Sequence, residues 1–382
     1  MNAKAKSIDT LSNKITASEL HDILLMQVNG LLENPELAKA LPPLMISGAP
    51  GIGKSTIVKS VADELGIEFR DIRLAQMEAV DIRGLPSVDN EKHVMSWNLP
   101  DFFPRDPNSR GIIFFDELSS ADRSLQVSAY QIVLDRRIGD FYKVPDGWYI
   151  CAAGNRIEDR AVAMSMSSAL ANRFMHVELT EDAEEWARWA INAGINPSVV
   201  GFVRYRPEML FHMDGENLER GWPSPRSWEK VSHMVDIMEK TNAKKTIVKK
   251  IVYGLVGPGA GAEFMEFYKN REVYENILDM MTDEKKPVVV PEKADQQYAM
   301  VAAMVYHLWK GKDDEDEQKR IAGFFRISQK LPSNFATMAL VDAMSFDGAH
   351  KKINKDYTKI LLAHPGYREW AKVHGKAMKK HI

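Results

Sequence analysis

A glycine-rich segment restricts the fold of this chain more than any other feature. Its sequence is Gly48-Ala49-Pro50-Gly51-Ile52-Gly53-Lys54-Ser55, which has the spacing G-x-x-x-x-G-K-[ST] of a phosphate-binding loop. An apolar run at residues 44–47 precedes it, and the pattern of residues 54–65 predicts a helix that Gly66 ends. The segment therefore predicts a buried strand, a loop around phosphate and a helix.

The composition of this loop matches the chemistry of phosphate binding. Glycines let successive backbone N–H groups close around phosphate oxygens, and the following helix points its N-terminus at the same charge. Lys54 is placed to reach the β- and γ-phosphates, the Ser55 hydroxyl is a ligand for Mg²⁺, and Thr56 completes the predicted nucleotide contacts. The alternative, a glycine turn that binds nothing, is disfavoured by the strand and helix on either side.

An acidic pair follows a second apolar run, Ile112-Ile113-Phe114-Phe115. Four apolar residues in a row are typical of a parallel strand buried on both faces, so Asp116 and Glu117 come at its carboxyl end, where open α/β sheets bind ligands. We expect Asp116 to hold Mg²⁺ and Glu117 to deprotonate the attacking water. An apolar run that ends in Asp-Glu is common by itself. It indicates a metal ligand and a base only because a phosphate loop precedes it.

A polar residue also ends the next predicted strand, residues 148–153. Asn155 follows Gly154 there, and its neutral amide can bind the γ-phosphate or the attacking water without adding charge. The alternative is a simple Gly-Asn turn after a strand. The order of the three segments favours a γ-phosphate sensor.

Strands and helices alternate between residues 43 and 180, which predicts an α/β domain with a parallel sheet between two helical layers. Beyond residue 180 the pattern is helical, with residues 288–290 as the one strand-like run. We predict an N-terminal tail (residues 1–16), an α/β ATP-binding domain (17–180), a helical lid (181–284) and a C-terminal helical extension (285–382). The stretch 76–105 is predicted to be irregular because glycine and proline interrupt it.

These motifs, in this order, resemble those of the AAA+ ATPases, and within them the MoxR-like branch. The resemblance covers about residues 17–240 and implies a three-layer P-loop NTPase domain followed by an all-α lid. It implies ATP and Mg²⁺ as ligands, ATP hydrolysis as the activity and a ring, with six subunits, as the assembly. The last 140 or so residues depart from this family pattern, which leaves the client open.

Two arginines take their expected roles only from this resemblance. Arg173, in the segment Ser168-Ala169-Leu170-Ala171-Asn172-Arg173-Phe174, resembles an arginine finger that points at ATP on the neighbouring subunit. Arg156 and Arg160 are alternatives for that role. Arg226, in Trp222-Pro223-Ser224-Pro225-Arg226, resembles the sensor 2 arginine of the lid. Residues 15–20 are the expected region of the adenine pocket.

Two insertions also fit the resemblance. Residues 79–104 resemble an insertion in the second helix, and residues 137–147 resemble the hairpin before sensor 1. In related proteins such inserts line the central pore or face the client, so Met77, His93, Met95 and Trp97 are candidate client contacts or packing residues.

Three functions follow from these features. The first is a ring ATPase that remodels a protein client, working with a separate von Willebrand factor A-type partner as the MoxR branch does. The second is a nucleic-acid motor or DNA-processing subunit related to phage or defence, which the net charge of −3 disfavours because strand channels are basic. The third is a nucleotide-gated scaffold, which ranks last because Glu117 is present.

Composition adds few constraints on location. The single cysteine, Cys151, excludes an internal disulfide and lies in an apolar run, which predicts a buried thiol in a reducing compartment. The polar N-terminus lacks the apolar core of a signal peptide. We therefore expect a cytoplasmic protein without a membrane segment.

Overall fold

The computed structural model describes residues 13–89, 91, 94–156, 168–213, 221–241, 243–269, 276–309, 316–346 and 354–378. The chain divides into two compact units, Met1–Thr180 and Glu181–Ile382. Among the helices in these described ranges, none has the length and apolar character needed to cross a membrane.

The first unit alternates strands and helices. Its strands are, in chain order, β1 (Lys14–Ile15), β2 (Leu44–Ser47), β3 (Glu68–Arg73), β4 (Leu85–Asp89), β5 (Val94–Asn98), β6 (Gly111–Asp116), β7 (Arg137–Ile138), β8 (Tyr142–Lys143), β9 (Trp148–Gly154) and β10 (Met175–Leu179). Its α-helices are Ala17–Glu33, Lys54–Leu65, Ala79–Arg83, Arg123–Asp135 and Ser168–Ala171.

Six strands form one sheet in the order β1-β10-β2-β9-β6-β3, and all of their pairings are parallel. Every residue of β9 and the first five residues of β6 are buried. Strands of this kind are buried on both faces because the crossover helices cover them. The predicted α/β fold with a parallel sheet is confirmed, and Cys151 is buried within it, as expected.

The N-terminal segment differs from the predicted tail at its end. Lys14 and Ile15 pair with Glu178 and Leu179 of β10 and add an edge strand to the sheet. Thr16 then caps the first helix through a reciprocal capping box with Glu19. Residues 14–16 therefore belong to the folded unit.

The glycine and proline pattern predicted that residues 76–105 are irregular, and this prediction is wrong. It contains the helix Ala79–Arg83 and an antiparallel hairpin of β4 and β5. Gly84 ends the helix at φ +84°, and a Cβ there would lie 2.0 Å from the Asn98 carbonyl oxygen, so the glycine lets the hairpin approach. Pro86 is tolerated because a two-stranded sheet has only edge strands.

The predicted hairpin before β9 is present, with β7 paired to β8 through Ile138 and Tyr142. The strand-like run at residues 288–290 does not form a strand. In the segment that contains Arg173, Ser168–Ala171 is helical.

The second unit is helical throughout its described residues. Its α-helices are Ala183–Asn192, Pro197–Tyr205, Pro225–Thr241, Lys245–Val256, Pro258–Tyr268, Ile277–Thr282, Ala294–Leu308, Glu317–Ser328, Ser333–Met344, Lys355–Ala363 and Pro365–Met378. One core runs through them, with Phe202, Trp228 and Phe264 packed edge to face or tilted at its centre. The predicted division between lid and extension at residue 284 stays a prediction, since helices on both sides contribute to this core.

Candidate active site

The phosphate-binding loop connects β2 to the helix Lys54–Leu65 at the carboxyl edge of the sheet. Gly51 and Gly53 adopt φ values of +83° and +100°, which residues with a Cβ rarely reach. Gly48 packs so closely that a Cβ would lie 2.7 Å from Ile52 Cδ1. The glycines that the motif requires are therefore explained by backbone shape and close packing.

Lys54 begins the helix after the loop, and its side chain is buried. Its ammonium donates to the carbonyl oxygens of Gly48 (2.7 Å) and Ala49 (3.0 Å) and to Asn155 Oδ1 (3.3 Å). A buried ammonium needs such acceptors, because an unpaired charge away from water is costly. The lysine thus lies inside the loop, in contact with the residue that follows β9.

The acidic pair lies at the end of β6, two strands from the loop in the sheet order. Asp116 is half-buried, and its Oδ1 accepts the Glu117 backbone N–H at 2.9 Å. Glu117 is exposed and has a left-handed φ of +59°, an uncommon conformation for a residue with a side chain. The strand therefore ends in a sharp turn directly after Asp116.

The pKa of Asp116 is raised above its usual value, mainly because burial disfavours the charged form. The carboxylate of Asp71 on the adjacent strand β3 raises it further. The Glu117 N–H and the Lys54 charge act in the opposite direction. Asp116 is thus half-buried near two other carboxylates, Asp71 and Glu117, and a bound divalent cation would offset their mutual repulsion.

Mg²⁺ prefers oxygen ligands and commonly takes one or two from the protein, with waters and phosphates supplying the rest. The Ser55 hydroxyl and the Asp116 carboxylate are ligands of this kind, and the raised pKa of Asp116 fits a site that gains from added positive charge. In the described part of the chain, no group of three or more His, Cys, Asp or Glu could hold a metal. The residues present fit a cation that arrives with a nucleotide.

Asn155 follows β9, between β2 and β6 in the sheet. The Lys54 contact joins its side chain to the phosphate loop, and its backbone N–H donates to Ser119 Oγ at 3.1 Å. The structure thus brings together three of the sequence-predicted segments, with Asn155 in the middle.

Arg173 lies at the end of the sheet opposite the phosphate loop, where the parallel strands begin. It is exposed and precedes β10, whose first residue Met175 pairs with Leu44 at the start of β2. Because β2 has four residues, this edge is roughly 13 Å from the phosphate loop at about 3.3 Å per residue. Arg173 borders a cavity of about 970 Å³ together with Arg136 and Tyr149, and this cavity is distinct from the phosphate loop.

The alternative arginines have different positions. Arg156 lies at the same edge as Lys54, and its Nη1 donates to Glu178 Oε1 at 3.1 Å. Arg160 lies outside the described residues. Arg226 is exposed and is the second residue of the helix Pro225–Thr241 in the second unit.

The expected adenine region, residues 15–20, contains the end of β1 and the start of the first helix. Ile15 pairs with Leu179, and the Leu179 carbonyl oxygen would be 2.9 Å from a Cβ on Gly48. This segment therefore lies beside the strand that borders the phosphate loop.

Sequence reasoning missed three residues of the site. Asp71 is on β3, next to β6, and Arg73 Nε donates to its Oδ2 at 3.1 Å. That hydrogen bond is the main reason why the pKa of Arg73 is raised. Ser119 is buried and lies two residues after the acidic pair. No local pattern in the sequence marks Asp71 or Ser119, because each reaches the site through a contact with a distant segment.

Comparison with known proteins identifies the domain that contains this site. Residues 44–179 match the family model described as ATPase family associated with various cellular activities (AAA). This part of the chain is an AAA ATPase domain. The matched range begins with β2 and ends with β10, so it contains the loop, the acidic pair and Asn155.

Two curated relatives of the AAA ATPase domain are Holliday junction branch migration complex subunits RuvB. The protein from Prochlorococcus marinus is 29% identical over 135 residues, which are 35% of this chain and 32% of the relative. The protein from a Synechococcus species is 29% identical over 128 residues, 34% of this chain and 31% of the relative. The chain thus spans about a third of the length of these relatives.

Among solved structures, the Thermotoga maritima RuvB Holliday junction branch migration motor is 15% identical, with a TM-score of 0.36. The match covers 74% of this chain and 81% of that structure. NtrX from Brucella abortus in complex with ADP is 12% identical, with a TM-score of 0.36, and the match covers 74% and 62% of the two chains.

The charge beside Asp116 gives a testable pH dependence. Asp71→Asn removes a neighbouring negative charge, so the pKa of Asp116 falls and the carboxylate stays ionised to lower pH. We expect the acidic limit of Mg²⁺-dependent nucleotide binding, measured by calorimetry across pH, to move to lower pH. Asp63→Asn, which removes an exposed carboxylate paired with Lys59, is the control and leaves the profile in place. A shift to higher pH in Asp71→Asn would contradict this electrostatic account.

Proposed function

We propose that this chain is an ATP-hydrolysing AAA+ subunit that assembles into a ring and remodels a protein client. The meeting of Lys54, Asp116 and Asn155 at one edge of a parallel sheet carries the proposal, since ATP hydrolysis requires a phosphate clamp, a metal ligand and a polar group at the γ-phosphate. These residues lie within the AAA ATPase domain.

Each residue has a defined task in this proposal. Loop backbone N–H groups and Lys54 hold the β- and γ-phosphates, with Thr56 near them in the first helical turn. Ser55 and Asp116 would hold Mg²⁺, which would neutralise charge on the phosphate oxygens when bound. Glu117 accepts a proton from the attacking water, a role that suits its exposed carboxylate. Asn155 hydrogen-bonds the γ-phosphate or that water.

The separation of Arg173 and Lys54 across the sheet supports the ring. An arginine at the far edge is too distant to reach the phosphates of its own chain, whereas a head-to-tail ring brings that edge to the site of a neighbour. Arg156 is less suited to this role because Glu178 holds its guanidinium at the chain's own phosphate edge. We assign Arg173 as the residue acting between subunits and Arg226 as the lid residue that contacts the γ-phosphate.

The β4–β5 hairpin supports a polypeptide client. Cross-strand pairing places Pro86 beside Trp97 and Val88 beside Met95, so these four side chains share one face, which we call the hairpin face. Val88, Met95 and Trp97 are 66%, 57% and 38% exposed. Exposed apolar groups gathered on one face are typical of an interaction site. The MoxR-like resemblance adds a six-subunit ring and a von Willebrand factor A-type partner to the proposal.

A second candidate function is a DNA-acting motor. The matched relatives are Holliday junction branch migration subunits, which favours this alternative. These relatives are only 29% identical to the chain, and the matched part is about a third of their length. The chain has a net charge of −3 and therefore lacks the excess of basic residues that is typical of a strand channel. We therefore rank it second.

Glu117→Gln tests the hydrolytic function. Removal of the base should lower steady-state ATP hydrolysis roughly 10²- to 10⁴-fold, the usual contribution of a general base, while ATP binding persists. Lys54→Ala should lose both binding and hydrolysis, which separates the two effects. Unchanged hydrolysis in Glu117→Gln would remove Glu117 from the mechanism.

Mixed assemblies test Arg173. Arg173→Ala should lower turnover roughly 10³-fold, the lower range for an arginine finger, because the charge on the leaving phosphate is less stabilised. Mixing with Lys54→Ala subunits should restore part of the activity, since an intact arginine then faces an intact loop. Arg156→Ala is the comparison variant. Absence of any recovery across mixing ratios would argue against action between subunits.

Stimulation of turnover distinguishes the two candidate functions. We expect β-casein, an extended apolar polypeptide, to stimulate ATP hydrolysis more than a four-way DNA junction does. Val88→Asp should abolish the stimulation and leave basal turnover intact. Ser96→Asp, on the opposite face of the same hairpin, is the control and should retain it. Stimulation by the DNA junction alone would favour the second function.

A further inference from the structure

Ser119 makes two contacts with the backbone of Asn155. It lies in the short 3-10 turn Leu118–Ser120 that follows the acidic pair, and it is buried. Its hydroxyl oxygen accepts the Asn155 N–H at 3.1 Å, and the same hydroxyl donates to the Asn155 carbonyl oxygen at 3.4 Å. A serine hydroxyl can both accept and donate, so one side chain holds both polar groups of this residue.

Gly154 and Ser119 pack so closely that residue 154 has no room for a side chain. A Cβ on Gly154 would lie 2.4 Å from Ser119 Oγ and 2.8 Å from Ser119 Cβ. Glycine at this position therefore lets the serine reach the next residue. The Gly154 carbonyl oxygen accepts the Gly48 N–H at 3.2 Å, which joins the end of β9 to the first residue of the phosphate loop.

Gly154, the last residue of β9, and Asn155, which follows it, thus contact two other segments. The phosphate loop contacts them through Gly48 and Lys54, and the turn after the acidic pair contacts them through Ser119. The Asn155 side chain, by contrast, has a hydrogen bond to Lys54 and is half-buried. Its direction is set by its backbone, and Ser119 holds that backbone.

We propose that Ser119 is a positioning residue that fixes the Asn155 amide relative to the γ-phosphate and couples it to the turn that follows Asp116 and Glu117. The inference rests on the proposed ATPase function and on the role proposed for Asn155. A displacement of the turn moves the serine, and with it the amide. A misplacement of about 1 Å in a reacting site can cost roughly 10²-fold in rate.

Ser119→Ala removes the hydroxyl and keeps the Cβ that packs on Gly154. We expect kcat to fall roughly 10- to 100-fold, with a smaller rise in the KM for ATP. Ser119→Cys, which keeps a weak donor and acceptor, should give an intermediate value and serves as the second variant if Ser119→Ala does not fold. Ser120→Ala is the matched control, because the hydrogen bond described for Ser120 is made by its backbone N–H, and it should leave kcat unchanged.

A double-mutant cycle with Asn155→Ala separates positioning from general stability. If Ser119 acts through Asn155, Ser119→Ala causes no further loss of kcat once Asn155 is replaced. An equal loss in both backgrounds would show that the two residues act independently and would overturn the inference. Thermal unfolding of each variant, measured alongside, identifies any loss caused by destabilisation.

Nucleotide affinity gives a readout that does not depend on hydrolysis. In the Glu117→Gln background, the ratio of ADP to ATP dissociation constants reports contact with the γ-phosphate. We expect Asn155→Ala and Ser119→Ala to lower this ratio to the same extent. A lowered ratio in Asn155→Ala alone would overturn the role of Ser119. An unchanged ratio in both variants would overturn the proposed role of Asn155, and the role of Ser119 with it.

Discussion

Parallel pairing of β2 with β9, and of β9 with β6, is the constraint on which the whole site depends. The carboxyl ends of parallel strands lie at the same end of the sheet, so the residues that follow these strands lie close together. The register sets Ser47 opposite Gly154, and the following residues, Gly48 and Asn155, then reach Lys54 from two sides. A shift in this register would separate the lysine from the asparagine while leaving each motif intact in the sequence.

Charged groups lie at both ends of the strands of the parallel sheet. Asp71, Asp116 and Glu117 lie at the carboxyl edge, where burial and mutual repulsion raise the pKa of Asp116. Arg173 lies at the other edge, beside the buried Arg136. Burial lowers the pKa of Arg136, although carbonyl oxygens of Pro145 and Trp148 accept from its guanidinium.

Residues with strong local chemistry allowed much of the domain to be predicted from the sequence. The loop at residues 48–55 and the apolar run before Asp116 identified two strands and their polar ends, because glycine and buried apolar runs restrict the backbone strongly. The β4–β5 hairpin was missed because Gly84 and Pro86 resemble breakers when their partner strand is unknown. Ser119 was missed because its importance comes from a contact between segments distant in sequence, which no local pattern encodes.

A structure determined with Mg²⁺ and a non-hydrolysable ATP analogue tests the central claim most directly. The account predicts the β- and γ-phosphates inside the loop at residues 48–55, with the metal bound to Ser55 and Asp116. It also predicts the Asn155 amide within hydrogen-bond distance of the γ-phosphate, with its backbone still held by Ser119. Nucleotide bound in the cavity beside Arg173 of its own chain, or an Asn155 side chain turned away from the phosphates, would contradict it.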